Sequence, residues 1–185
     1  ADLGLSRSAM GLALGAWQLV YIVSAPAGGR LLDRLGVRRG IVLGSLVVAA
    51  SGFLRASAGG LGSLWLAIAL FGVGGPLISA GAPKAVGLWF ADKRERRLAI
   101  GVYSTMPAIG GMATLVLSNS VLMPLTGSWR TTIVVETSLI VLALGVWLVV
   151  SGRGPEPPVS LGSPAAGSGD RRALLASPEV RIVLV

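Results

Sequence analysis

Apolar residues run along this chain in five long blocks, at residues 9–27, 40–57, 64–90, 98–122 and 130–150. Short polar stretches separate them. A helix needs about 20 mostly apolar residues to cross the hydrocarbon core of a bilayer. In lipid, a helix is the one open-chain structure that satisfies its own backbone hydrogen bonds. The pattern therefore predicts an all-α polytopic membrane bundle over residues 1–150. Pro76 and Pro83 predict a bend in the long third block, and Pro107 predicts a kink in the fourth. Small residues four apart, Gly11/Gly15 and Gly40/Gly44, suit close helix packing. After Val150 the pattern stops. Residues 151–169 are rich in Gly, Pro and Ser and read as a flexible linker. Residues 170–181 read as a short amphipathic helix interrupted at Ser177-Pro178, and residues 182–185 open a new apolar run.

Composition strengthens this picture. Of 185 residues, 53% are hydrophobic and only 13% charged, and the mean hydropathy is +0.78. A soluble domain carries about 25% charged residues, so too few charges remain to cover a water-exposed surface. The net charge of +8 would by itself suggest nucleic acid. The charges instead lie in short clusters between apolar blocks, with no aromatic stacking platform, and nucleic acid is set aside. With no Cys and no His, disulfides, thiol catalysis and the usual zinc sites are excluded. No phosphate-cradling glycine-lysine loop and no hydrolytic nucleophile–base pair can be read. ATP-driven transport, enzymatic function, metals and cofactors thus have no support.

The charges also orient the chain. Arg30, Arg34, Arg38 and Arg39 follow the first block, against Asp33. Lys93, Arg94, Arg96 and Arg97 follow the third, against Asp92 and Glu95. Residues 58–63 and 123–128, on the other side, carry no charge, and only Arg7, Arg55 and Arg130 lie near that face. Arg55 reads as an outer anchor. Basic loops stay in the cytoplasm, which puts Ala1 outside and the segment after Val150 inside. An outside start with five spans implies an upstream helix.

The most informative polar stretch begins at Gly29 and ends at Arg39, between the first two blocks. Gly29 and Gly36 suit a tight reversal between antiparallel helices. Asp33, an acid among arginines, is expected to pair with an Arg or face a helix N-terminus. Gly29, Leu31, Asp33, Arg34, Gly36 and Arg38 together resemble the signature loop of the major facilitator superfamily, G-x-L-a-D-R-x-G-R-R. Val37 stands at a position that is usually basic. The resemblance implies that the five blocks are helices two to six of twelve, most of an N-terminal half. Residues 151–173 would be the central cytoplasmic linker, and residues 174–185 the start of the second half, the rest of which is missing here. It also implies secondary transport by alternating access in the inner membrane of the cell.

Two further stretches resemble the same family. Gly72-Val73-Gly74-Gly75 matches an intramembrane glycine motif, but the Arg often found four residues before it is Ile68 here. That departure removes one possible partner of Asp33. Pro107-Ala108-Ile109-Gly110-Gly111 is similar to the tail of the antiporter motif, with Met106 in place of its leading glycine. It reads either as a smooth rolling face or as a packing kink. Residues 81–111, with Pro83-Lys84, Trp89-Phe90 and Arg94 to Arg97, also resemble nitrate/nitrite- and cyanate-type anion porters.

Charges inside a span are the best site candidates, because inserting one costs about 2.5–3.5 kcal/mol on translocon scales. Glu136 is the only acid within a predicted span. It lies six residues beyond Arg130, roughly 9 Å along the helix. It reads either as a proton-coupling carboxylate or as an interface acid paired with Arg130 or Arg55. Lys84 reads as a cation for an anionic substrate, or as a side chain snorkelling to the cytoplasmic surface. Gln18, Tyr21, Tyr103, Ser104, Thr105 and Asn119 are polar residues suited to lining a cavity or to gluing helices. The expected function is secondary transport of a small solute, an anion by the evidence of Lys84 and the basic bias. Proton-linked drug export and a non-transporting membrane scaffold are the alternatives.

Overall fold

The computed structural model describes residues 6–153. It is an all-α bundle, as the apolar pattern predicts. Helices α1 (Arg7–Leu35), α2 (Val37–Ala56), α3 (Leu61–Trp89) and α4 (Lys93–Leu117) follow in order. A π-helical turn (Ser118–Leu122), the short α5 (Met123–Thr126) and α6 (Trp129–Ser151) complete it. Among the described residues, five helical rods are long and apolar enough to cross a membrane, α4 through α5 forming one of them. The expected linker and second half lie outside the described residues from residue 154 onward, and so does Ala1.

Helix α1 runs eight residues past its expected end. Arg30 to Leu35 continue it because Arg and Leu are good helix formers and Leu32 is buried against α2, where it meets Gly40. The expected two-glycine reversal is thereby corrected. Gly29 is helical and its Cα faces open space. Gly36 alone makes the turn, with φ 81° and ψ 160°, a region open essentially to glycine. The loop expected after the fourth block also shrinks. The rod continues through the π turn and α5, and Gly127, at φ 63°, ends it.

Helix α3 is the centre of the bundle, packed against α1 on one side and α2 on the other, with α6 on the far side of α2. The glycines of the third block explain this. A Cβ on Gly72 would meet Trp17 O of α1 at 2.5 Å, and one on Gly74 would meet Gly44 O of α2 at 2.8 Å. Gly75 receives the Tyr21 ring. Gly72 and Gly75 thus open α3 to α1, and Gly74 opens it to α2. Gly40/Gly44 packs as expected, whereas Gly11/Gly15 meets nothing within 4 Å among the described residues. The helices run on through Pro26, Pro76, Pro83 and Pro107.

The main buried cluster sets four alanines, Ala13, Ala16, Ala58 and Ala69, around Leu64 and Ile68, flanked by Trp17 and Val20. Membrane helices associate by close backbone approach, not by hiding large apolar side chains from water. Leu12, Leu19, Val23, Leu66 and Leu125 accordingly point outward. Helix α4 has no buried residue and touches the bundle at few points.

Candidate functional sites

The C-terminal ends of α1 and α3 meet in one ion pair. Lys84 Nζ donates to Asp33 Oδ1, and this is the only ion pair among the described residues. Both side chains are about half exposed or more. The expected partner of Asp33, an Arg or a helix N-terminus, is replaced by Lys84, itself expected to face substrate or the lipid surface. The reason is geometric. Continuing α1 to Leu35 carries Asp33 to the level of the last turns of α3, which Gly72 and Gly75 hold close to α1. The arginines take other posts. Arg34 lies in the last turn of α1, where a cation favours the helix dipole. The Arg38 carbonyl accepts from Trp147 Nε1 at 3.4 Å, and the Arg38 guanidinium lies beside Gly152, tying the end of α6 to the start of α2.

The second basic stretch is ordered rather than loose. Asp92 caps α4 by accepting from Arg94 N at 2.7 Å and Glu95 N at 3.0 Å. Arg96 Nε donates to Phe90 O at 3.1 Å. Both basic clusters sit at the end of the bundle where Asp33 meets Lys84, in keeping with one cytoplasmic face.

Roughly one and a half turns deeper along α3 lies a polar node that sequence reasoning missed in part. Tyr21 and Ser79 hydroxyls are 2.6 Å apart, and Tyr103 OH donates to Ser79 O at 3.4 Å. Tyr21 and Tyr103 were among the cavity candidates, but Ser79 was not. It joins α1, α3 and α4, and a lone Ser in an apolar block carries no signal that it will be the shared partner.

Glu136 of α6 faces the π turn of the fourth rod. Ser118 Oγ contacts Glu136 Oε1, and the same oxygen lies 2.6 Å from Thr114 O. The expected alternative, pairing with Arg130 or Arg55, is not what forms. Arg130 donates to Ala56 O at 2.9 Å and Ala58 O at 2.7 Å, and lies over Trp129. Arg55 does not extend outward as an anchor. Helix side chains lean toward the N-terminus, so it turns back to donate to Ser51 at 3.1 Å and to cover the Phe71 ring.

Pro107, Gly110 and Gly111 lie on the exposed side of α4, and both glycines have open space around them. A smooth face is therefore present there, and it is uncovered among the described residues. Ile68, at the position where an Arg is common, is buried in the apolar cluster against α1.

Comparison with known proteins agrees with this architecture. The sequence model of the Major Facilitator Superfamily matches residues 1–184. A puromycin resistance protein of Streptomyces alboniger is 31% identical over 143 residues, covering 77% of this chain and 28% of that protein. Multidrug resistance proteins MdtH of Yersinia pestis and Yersinia pseudotuberculosis are each 45% identical over 76 residues, covering 41% of this chain and 19% of theirs. The chain thus spans less than a third of the length of these relatives. Five spanning helices, the signature loop around Asp33 and a family match over nearly every residue place this chain in the major facilitator superfamily of transporters.

Proposed function

We propose that this chain is most of the N-terminal half of a proton-linked exporter of drug-like organic solutes, working in a bacterial cytoplasmic membrane. The observation that carries the choice of substrate class is the Lys84–Asp33 pair. A small anion is the first expectation from sequence, because the basic bias and Lys84 offer positive charge. With its ammonium held by Asp33 at the cytoplasmic rim, that offer is withdrawn. The drug-resistance relatives support the same choice. The remainder of a longer transporter would supply the second half, and the lipid bilayer is the other partner.

In this reading Asp33–Lys84 is a contact of one gate state. Holding α1 against α3 at the cytoplasmic end favours that state, and separation favours the other, so the pair sets a conformational balance rather than touching solute. Tyr21, Ser79 and Tyr103 form a polar lining between α1, α3 and α4, suited to an amphipathic solute. Glu136 is the proton-binding carboxylate: the one acid in a span, faced by a hydroxyl instead of a cation. Antiport then follows if proton entry and solute exit use opposite gate states.

The test is transport by the intact protein in proteoliposomes. Puromycin-like amphipathic solutes should move against their gradient when a proton gradient is imposed, and stop when it is collapsed. Transport of nitrate or cyanate with no movement of organic solutes would overturn the reading in favour of an anion porter.

A further inference from the structure

Beside the Gly36 turn, α2 and α6 leave an open groove of about 540 Å³, lined by Arg38, Arg39, Val42, Leu43 and Leu46 of α2 and by Leu148 of α6. Its chemistry changes in one direction. Arg39, Val42, Leu43 and Leu46 stand at i, i+3, i+4 and i+7, one stripe of the helix. The cations are at one end, and the apolar residues continue for seven positions, roughly 10 Å along the axis. That is about a third of a hydrocarbon core about 30 Å thick. Leu43, Leu46 and Leu148 are all exposed.

The charged end of the groove lies at the level where both helices end. Helix α2 begins at Val37 and α6 stops at Ser151. The Arg38 guanidinium lies beside Gly152, and Trp147 Nε1 donates to Arg38 O at 3.4 Å. Tryptophan collects where hydrocarbon gives way to headgroups, and the positive-inside rule gives this boundary to the cytoplasm.

The two arginines are not neutralised by protein. Among the described residues, Asp33 is held by Lys84, Asp92 caps α4, Glu95 stands in the first turn of α4 and Glu136 meets Ser118. Helix stability does not account for Arg39 either. A cation in the first turn of a helix opposes the dipole, and the first turn of α2 contains no acid. Arg38 is compensated by its place at the end of α6; Arg39 is not.

We propose that this groove binds an anionic phospholipid of the cytoplasmic leaflet. The phosphate lies between Arg38 and Arg39, and one acyl chain runs along Val42, Leu43 and Leu46 against Leu148. The sequence of charge, then hydrocarbon, is that of the lipid itself. A guanidinium presents its N–H groups as a fork matched to phosphate oxygens, and basic recesses between spanning helices on the cytoplasmic side suit such headgroups. Because α2 and α6 both line the groove, the bound lipid straps the two helices together at this end. The site is independent of which solute the transporter carries.

The test is lipid titration of the intact transporter in neutral detergent, read by native mass spectrometry. Phosphatidylglycerol should bind in preference to phosphatidylcholine. Arg38→Gln with Arg39→Gln should weaken phosphatidylglycerol roughly thirtyfold, the effect of two cations near an anionic headgroup. Arg38→Lys with Arg39→Lys should keep most of the affinity. Leu46→Trp, which fills the groove and leaves both charges, should also weaken binding. Removing the same charge from the start of α4, by Arg94→Gln with Arg97→Gln, should leave the tight site intact. Thermal unfolding without added lipid checks that each variant is folded. Equal binding of the two lipids, or phosphatidylglycerol affinity indifferent to the Arg38/Arg39 pair of substitutions, overturns the proposal. Affinity unchanged in Leu46→Trp removes the groove from it. Displacement of the lipid by equimolar glycerol phosphate would mean that the arginines take a free phosphate, and no lipid bound to the intact protein would mean that the remainder of the transporter covers the groove; either result overturns it as well.

Discussion

Gly44 of α2 and Gly74 of α3 face each other so closely that neither has room for a side chain. A Cβ on Gly44 would lie 3.0 Å from Gly74 O, and one on Gly74 would lie 2.8 Å from Gly44 O. The two carbonyl-bearing backbones are in contact, and α3 is thereby fixed against α2 at mid-helix. Replacing either glycine with Val must push the helices apart. Overpacking of this kind costs about 1–3 kcal/mol. Equilibrium unfolding of the purified transporter in mixed micelles should show the loss for Gly44→Val and Gly74→Val. Unchanged stability in both would mean that the helices do not approach as described.

The two glycines of the signature loop should behave oppositely. Gly36 has φ 81° and ψ 160°, and a side chain there is strained by about 1–3 kcal/mol. Gly29 is helical with open space around it, where Ala is favoured over Gly by roughly 0.5–1 kcal/mol. Gly36→Ala should lower thermal stability and Gly29→Ala should hold or raise it. Equal destabilisation by both would restore the two-glycine reversal expected from sequence.

The Asp33–Lys84 pair should matter more for transport than for folding. An exposed ion pair contributes about 0.2–1 kcal/mol, but the same energy shifts a balance between two gate states several-fold. Asp33→Asn should impair transport by the intact protein at equal membrane expression, and Arg30→Gln should impair it less. The swap Asp33→Lys with Lys84→Asp should recover part of the activity. A swap no better than the single variants would remove the pair from the gate.

Orientation can be checked directly, since the chain has no native Cys. A cysteine at Gly60, in the turn between α2 and α3, should react with an impermeant reagent from outside the cell. A cysteine at Arg39 or Glu95 should react only after the membrane is opened. Labelling of Gly60 solely from the cytoplasmic side would invert the assignment.

The sequence by itself determined the five spanning segments, the all-α class, the shared side of the two basic clusters and the family likeness. These follow from local quantities: the length of an apolar block, the charge of the residues beside it, and a motif read in register. It also singled out Asp33 as a group in need of a partner, and Lys84, Tyr103 and Glu136 as substrate or proton candidates. Only the tertiary structure decided who those partners are. Whether Asp33 meets an Arg or Lys84 depends on how far α1 continues, and on how tightly Gly72 and Gly75 draw α1 and α3 together. Whether Glu136 meets Arg130 or Ser118 depends on a π turn that has no mark in a run of apolar and small polar residues. A helix periodicity tells which residues share a face. It does not tell which face of another helix lies opposite, because that is set by backbone approach summed over the whole bundle.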